Sequence, residues 1–339
     1  MKLQLLPEDE YCHTPEAAST YNESMYFNVF DPTQKVGGWF RIGNRVNEGY
    51  AEMSVCLYLP DGRIGFMFKR VPIDNNDELK AGGLHVKVVE PFKQLTVTYD
   101  GKVLLMDEPH QMADPREAFT KNQRVPVKLT LNYTGHSPMY GGELVNADGT
   151  KRELDAEKSF ARAHYEQHVS AEGSLEIDGQ TWQVAGYGLR DKSWGPRTWQ
   201  SIYWYRWCPM SFGEDFGMMV SVISGGKGQV RGSGMVLEDG KYHDFTDAKI
   251  EAEFDGSEYQ TTLNIWAKAE NGKEYEVEGK VLSLIPLRNR RTGPDGIERM
   301  TRITEGMTEY RCNGRTGYGL SEFLDQIDDD GRAVSLSAR

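Results

Sequence analysis

The sequence predicts an all-β protein built from two successive sets of antiparallel strands. Segments in which apolar and polar residues alternate recur along the whole chain, for example in residues 50–70 and 173–191. Asp-Gly and Asn-Gly pairs separate many of these segments, and such pairs favour tight hairpins. The chain has 36 glycines, 17 tyrosines and 13 phenylalanines, which suits many short strands. No long amphipathic helical period competes with this interpretation.

The strand signals can be followed in chain order. Residues 50–70 contain two strands around a Pro-Asp-Gly turn, and a further hairpin is expected at residues 100–101. The pattern begins again after residue 165, with a hairpin at residues 178–179 and several later turns of the same type. Two strand sets of this kind hide their edges by forming barrels or sandwiches.

The domain boundary is predicted near the middle of the chain. At 339 residues the chain is about twice the length of a typical domain of roughly 150 residues. Residues 145–159 are polar and are interpreted as a linker. The predicted domains are therefore 1–155 and 156–339, and the second contains the motif discussed below.

Composition excludes several classes of partner. The chain has 39 basic and 51 acidic residues, a net charge of −12, which argues against nucleic-acid binding. No stretch approaches the ~20 apolar residues that stable membrane insertion requires, and the N-terminus lacks the apolar core of a signal peptide. The four cysteines are far apart and have no CxxC spacing. A cytoplasmic location is expected, and the oligomeric state stays open.

The stretch GYGLRDKSWGPRTW, residues 186–199, carries the strongest candidate for chemistry. In a strand, alternate side chains share a face, so Asp191 and Ser193 point one way. Arg190, Lys192 and Trp194 point the other way, and a Gly-Pro pair then ends the strand.

Two neighbouring segments add to this density of polar and aromatic groups. His164, Glu166 and His168 share one strand face, and Tyr165 lies on the other. The two histidines would stand roughly 13 Å apart on a strand, so no metal site is predicted. Downstream, three aromatic residues share a face: Tyr203, Tyr205 and Trp207.

These residues suggest acid–base chemistry in an aromatic pocket. A carboxyl group such as that of Asp191, facing an apolar cavity, would have a raised pKa and donate a proton to an alkene, an enol or a leaving group. Aromatic faces would stabilise the developing cation. The alternative is structural: Asp191 is the ion-pair partner of Arg190 or Arg197, and Trp194 fills one end of a barrel.

Residues 164–197, which include the run RDKSWGPR, resemble the signature of the AttH and carotenoid-hydratase (hydroxyneurosporene synthase) superfamily, which also includes tocopherol-cyclase-like proteins. Residues 22–62 and 304–323 resemble the same group, so the likeness spans nearly the whole chain. The resemblance implies two consecutive lipocalin-like antiparallel β-barrels. It also implies no cofactor and a small hydrophobic substrate or ligand.

The resemblance further implies roles for particular residues. Characterised relatives protonate an isoprenoid double bond, and Asp191 matches the presumed proton donor. Glu166, Arg190, Trp194 and Arg197 match the surrounding pattern. Relatives usually carry histidine after the aspartate, whereas this chain has a lysine there, which questions any mechanism that needs that histidine.

Three hypotheses follow from the sequence. The first is a cofactor-independent enzyme of the lyase or isomerase kind, performing hydration, elimination, cyclisation or double-bond migration on a terpenoid, steroid or aromatic compound. The second is a carrier that binds a hydrophobic molecule without turnover, and the third is an interaction module with filled barrels. In the enzyme hypothesis Asp191 is the general acid, Glu166 is the base or holds water, and Arg190 orients them. The expected pocket residues are Tyr165, Trp194, Arg197, Tyr203, Tyr205, Trp207 and, from the N-terminal set, Trp39.

Overall fold

The computed structural model describes residues 1–155, 159–198, 202–226, 228–292 and 296–337. The chain divides into two compact units. The first unit comprises Met1–Met106 and Asn122–Thr198, and the second comprises Asp107–Lys121 and Trp199–Arg339. Strands dominate both units, which confirms the predicted all-β fold class.

The first unit contains strands and two single-turn 3-10 helices, at Pro7–Glu10 and Val46–Glu48. Its strands are β1 (Lys2–Gln4), β2 (Tyr21–Asp31), β3 (Val36–Arg45), β4 (Tyr50–Tyr58), β5 (Ile64–Pro72), β6 (Leu79–Ala81), β7 (Leu84–Glu90), β8 (Gln94–Met106), β9 (Gln123–Gly135), β10 (Tyr140–Val145), β11 (Ala163–Ile177) and β12 (Gln180–Pro196).

Within the described residues, eight of these strands pair in a closed circuit. The order is β9, β11, β12, β2, β3, β4, β5 and β8, and β8 returns to β9. Every pair is antiparallel. A barrel arranged in this way leaves no free edge along the circuit.

Strand β9 shows which face of the first barrel is the interior. From Val125 to Thr134, buried apolar side chains such as Leu129 and Tyr133 alternate with exposed ones, which are polar except for Pro126. Leu129 lies opposite Leu175 of β11, and Tyr133 lies opposite Ala171. The odd-numbered residues of β11 therefore point into the barrel, and so do the residues of β12 that lie opposite them.

The second unit is a closed barrel of eight strands within the described residues, each paired with its neighbours in sequence, and the last strand pairs with the first. A 3-10 helix (Pro109–Ala113) and helix α1 (Pro115–Lys121) also belong to this unit. Its remaining elements are β13 (Trp204–Ser211), β14 (Phe216–Ser224), β15 (Val230–Glu238), β16 (Lys241–Phe254), β17 (Gln260–Ala269), β18 (Glu274–Thr292), β19 (Glu298–Cys312), β20 (Arg315–Gln326) and α2 (Val334–Ser337).

The turn chemistry confirms most of the predicted hairpins. Asp178 and Gly179 join β11 to β12 with φ values of 51° and 73°, as a type I′ turn requires. The pair Asp100-Gly101 does not form the predicted hairpin, because β8 runs straight through it. A Cβ atom at Gly101 would stand 2.6 Å from the Tyr99 ring, so close packing of that ring explains the glycine.

The predicted boundary between residues 155 and 156 is corrected by the strand pairing. Strand β12 pairs with β2, and β11 pairs with β9, so the RDxSWGPR motif belongs to the first barrel and not to the second. The physical reason is that alternation defines a strand but does not say which sheet it joins. No helix among the described residues has the length and apolar character needed to cross a membrane.

Candidate functional site

Strand β12 divides the motif between two faces of the first barrel. Arg190, Lys192 and Trp194 are on the interior face, because they lie opposite Gln167, Tyr165 and Ala163, which continue the interior parity of β11. Asp191 and Ser193 lie on the outer face, as the predicted alternation requires.

Arg190 forms a buried bidentate ion pair with Glu10. Its Nη1 donates to Glu10 Oε1 at 2.7 Å, its Nη2 donates to Oε2 at 2.9 Å, and neither side chain is exposed. Arg190 Nε also donates to Gln167 Oε1, and the Tyr165 hydroxyl donates to Glu10 Oε1 at 2.8 Å. Arg190 and Tyr165 therefore hold the N-terminal segment in the barrel, which corrects their predicted roles beside Asp191.

Lys192 forms a second hydrogen-bond network inside the first barrel. Its Nζ donates to Glu23 Oε1 and to the carbonyl oxygens of Asp9 and Tyr11, all at 2.7 Å. These three acceptors use all three ammonium protons. Lys192 is therefore a structural residue that anchors the N-terminal segment.

Trp194 belongs to the same interior face and contacts this network. It is 2% exposed, and its ring stacks on that of His13 with centroids 4.1 Å apart. The prediction that Trp194 lines a pocket shared with Asp191 is corrected, because the two side chains project from opposite faces of β12.

The outer face brings two carboxyl groups together. Glu166 of β11 lies directly opposite Asp191 of β12, and Tyr26 of β2 is the next residue across the sheet. Directly opposite residues have Cβ atoms only about 4.5–5.5 Å apart. Glu166 is buried, whereas the Asp191 side chain is 21% exposed. The predicted association of Asp191 with Glu166 thus follows from the strand register.

His164 joins this carboxyl pair. Its Nε2 lies 3.9 Å from Glu166 Oε1 and 3.8 Å from Asp191 Oδ2. Burial acts to lower the pKa of His164, but the interaction with the Asp191 carboxylate and the charge of Glu166 outweigh it, so its pKa is raised. The sequence placed His164 on the face of Glu166, but only the register shows that it reaches both acids.

The raised pKa of His164 leads to a prediction that needs no substrate. We expect the imidazole of His164, followed by NMR in a pH titration, to have a midpoint above 6.5. The variant Asp191→Asn should lower that midpoint, because it removes a charge that favours the imidazolium form. Glu172→Gln, an exposed change on the same strand, should leave it unmoved. An unchanged midpoint in Asp191→Asn would contradict this geometry.

Further polar groups lie on the outer face beside the triad formed by His164, Glu166 and Asp191. Arg197 Nη2 donates to Ser193 Oγ at 2.7 Å, and Ser193 Oγ lies 3.1 Å from Ser24 Oγ. The Arg197 guanidinium also lies 4.3 Å from the Phe160 ring centroid. Arg197 is thus held near the triad and contributes a positive charge at His164.

An aromatic pair lies beside the acids on the same face. Trp39 of β3 stacks on Tyr26, with centroids 6.2 Å apart and planes inclined by 23°. Trp39 also packs against Phe66, and Asn28 Nδ2 donates to the Tyr26 hydroxyl at 3.3 Å. The predicted site residue Trp39 therefore belongs to the face that carries Asp191.

The predicted aromatic residues of β13 belong to the second unit. Tyr203 precedes the strand, and Tyr205 and Trp207 lie on the outer face of that barrel, because the alternate residues Cys208 and Met210 belong to its core. Their participation in a substrate site stays a prediction.

Those aromatic residues stand beside carboxylates that the sequence analysis did not single out. The Tyr205 hydroxyl donates to Glu322, which lies opposite Trp207 on one neighbouring strand and opposite Glu305 on the other. Alternation of polar and apolar residues along β19 and β20 could have indicated these carboxylates. Both strands also contain many buried small residues, which obscure that alternation.

Metal-site and cavity geometry add two observations. Within the described ranges, no group of three or more His, Cys, Asp or Glu side chains is arranged to hold a metal ion.

The first unit has an open cavity of about 350 Å³, lined by residues such as Cys12, Glu78 and His85. The second unit has a groove of about 500 Å³, lined by residues such as Trp266. Neither is lined by the carboxyl pair.

Comparisons with known structures show the same fold. An AttH-like protein from Nitrosomonas europaea is 15% identical, with a TM-score of 0.60, and the match covers 95% of this chain and 96% of that one. CghA in complex with Sch210972 is 12% identical, with a TM-score of 0.54 and coverage of 95% and 96%. Kievitone hydratase from Nectria haematococca is 9% identical, with a TM-score of 0.54 and coverage of 95% and 93%. The resemblance to the AttH and carotenoid-hydratase superfamily is thus confirmed for the fold.

Sequence comparison gives a family for the chain. None of the curated protein sequences matches it. One family model does match, over residues 6–327, which include both strand sets and the motif. The chain therefore belongs to the family described as Domain of unknown function (DUF7064).

Proposed function

We propose that the protein is a cofactor-independent acid–base enzyme of the lyase or isomerase kind that acts on a small hydrophobic terpenoid, steroid or aromatic molecule. The observation that carries this proposal is the Asp191–Glu166 pair with His164 within 4 Å of both carboxylates. Carboxyl groups in one cluster but different environments are suited to separate roles as acid and base. The fold shared with kievitone hydratase supports chemistry that adds or removes water.

Hydration illustrates the proposed roles. In the resting site His164 is an imidazolium beside the Asp191 carboxylate, and His164 passes its proton to Asp191 when the substrate is bound. Asp191 then gives this proton to one alkene carbon, so that a C–H bond forms and the neighbouring carbon becomes cationic. The oxygen of a water molecule bonds to that carbon while Glu166 accepts the proton that the water loses. The proton then passes from Glu166 to His164, which restores the starting state. Elimination follows the same steps in reverse.

The surrounding groups support these charge changes. His164 holds the proton between turnovers, as its raised pKa favours, and supplies it to Asp191. The faces of Tyr26 and Trp39 stabilise a cation on the substrate. A carrier that binds its ligand inside the second barrel is less well supported, because that barrel is filled by its own apolar side chains.

A water-incorporation assay tests the proposal. Purified protein is incubated in ¹⁸O-labelled water with a panel of unsaturated terpenoids, steroids and prenylated aromatic compounds, and products are analysed by mass spectrometry. We expect one class to gain labelled water, and Asp191→Asn to lower that rate by about 100-fold or more, as for loss of a general acid.

The matched control is Glu172→Gln, which removes an exposed carboxylate from the strand that carries Glu166. It should keep the full rate. Full turnover by Asp191→Asn would refute the role of Asp191 as the acid. An enzyme that migrates a double bond would instead incorporate deuterium from D₂O without gaining oxygen.

A further inference from the structure

The indole N–H of Trp39 is a buried donor without an acceptor among the described residues. The Trp39 side chain is 2% exposed, and its Nε1 has no hydrogen-bond partner in that part of the chain. Buried N–H groups in proteins are almost always paired, and the exceptions call for an explanation such as a bound molecule. Tyr26 and Phe66 hold the ring from two sides, so the donor is fixed in direction.

The strand register relates this donor to the carboxyl pair. Tyr26 lies opposite Asp191 on one side and opposite Arg41 on the other, and Trp39 precedes Arg41 by two residues. Trp39 and Asp191 therefore share a face of the sheet. Across the sheet they are two strands apart, and along the strand direction they are offset by two residues. These dimensions place their Cα atoms about 12 Å apart.

We infer that Trp39 recognises an oxygen acceptor on the substrate, at the end of an apolar ring system remote from the carbon that Asp191 protonates. This inference rests on the proposed function, since it places the substrate beside that acid. A carbonyl or hydroxyl oxygen would accept from Nε1. The stacked rings of Tyr26 and Trp39 would contact a planar or polycyclic body. The substrate class is thus an oxygenated molecule of roughly two or more fused rings, and not a plain hydrocarbon.

Trp194 provides a matched comparison. Its indole Nε1 also lacks a partner among the described residues, and the side chain is equally buried. It lies, however, on the interior face of the barrel beside His13 and the lysine network. Removing this N–H should leave recognition on the outer face unaffected.

The test measures binding of 2-acetylnaphthalene and 2-isopropylnaphthalene, which have similar shapes but differ in the carbonyl acceptor. We expect the ketone to bind the unchanged protein about ten-fold more tightly than the hydrocarbon. Trp39→Phe should abolish this preference by weakening only the ketone, and Trp194→Phe should retain it. Circular dichroism would verify that both variants are folded.

Several outcomes would overturn the inference: equal affinities in the unchanged protein, no binding of the ketone, or a ketone preference that survives Trp39→Phe. The result is independent of turnover, so it separates this inference from the proposed function. A lost preference in Trp39→Phe together with full turnover in Asp191→Asn would support the recognition role and refute the assignment of the acid.

Discussion

Replacing Arg190 with methionine is expected to lower the free energy of unfolding of the first unit by about 3–5 kcal/mol. The change keeps an apolar chain similar to the methylene stem of arginine but removes the guanidinium that pairs with Glu10. Both groups of this pair have no exposed surface, so Glu10 would remain as a buried carboxylate without its bidentate donor. The N-terminal segment that carries Glu10 should then leave the barrel more readily. Denaturant unfolding of the full chain, followed by tryptophan fluorescence, measures the effect.

Arg315→Met is the matched control. Arg315 also forms a bidentate pair, with Asp215 at 3.0 and 2.7 Å, but these side chains are 40% and 70% exposed. Exposed pairs of this kind contribute at most about 1 kcal/mol. The two variants therefore differ mainly in the burial of the pair that they break.

A second variant separates a lost charge partner from lost packing. If the cost comes from the unpaired carboxylate, Glu10→Leu combined with Arg190→Met should recover much of the stability, since two apolar side chains replace a buried ion pair. A loss in Arg190→Met no larger than that in Arg315→Met would contradict the structural role of Arg190. It would also reopen the prediction that Arg190 serves the carboxyl pair.

The sequence predicted local structure better than it predicted partners. The alternation and the Asp178-Gly179 turn were sufficient to predict β11 and β12, because both signals depend on neighbouring residues. The sheet that these strands join depends on pairing with β2, more than 130 residues away in sequence, which local alternation does not encode.

The candidate site shows the same difference between local geometry, which the sequence predicted, and distant partners, which it did not. Alternation correctly separated Asp191 from Arg190, because period-two geometry depends only on the strand itself. It did not show which face was the interior, since β12 is largely buried on both faces around the motif. The partner of Arg190 is Glu10, 180 residues earlier in the chain, so no local pattern identifies it.

Glu23 is the second residue for which we expect a large effect, and this effect depends on pH. Glu23 accepts from Lys192 Nζ at 2.7 Å, from the backbone N–H of His13 at 2.7 Å and from the Tyr21 hydroxyl at 2.9 Å. Burial acts to raise the pKa of Glu23. The contacts with His13 and Lys192 outweigh burial and lower the pKa from 4.5 to about 2.

The direction of the pH dependence follows from this lowered pKa. A carboxyl group whose pKa is lower in the folded than in the unfolded chain stabilises the fold above its unfolded pKa. That contribution is lost as the pH falls from about 4.5 towards about 2. A pKa difference of one between the folded and unfolded chain corresponds to roughly 1.4 kcal/mol, so Glu23 contributes about 3 kcal/mol at neutral pH.

Glu23→Gln should therefore destabilise the first unit by about 3–5 kcal/mol near pH 7, because it leaves the Lys192 ammonium buried without its counter-charge. Below pH 4.5 the unfolded chain binds a proton at Glu23, whereas the folded protein keeps Glu23 ionised until about pH 2, so the unchanged protein loses the stability that this ion pair gives. The difference in unfolding free energy between the two proteins should then narrow by about 3 kcal/mol towards pH 2. Glu117→Gln, which breaks an exposed pair with Lys121, should differ little from the unchanged protein at any pH. A gap between Glu23→Gln and the unchanged protein that stays constant from pH 7 to pH 2 would show that Glu23 is not held ionised by this network.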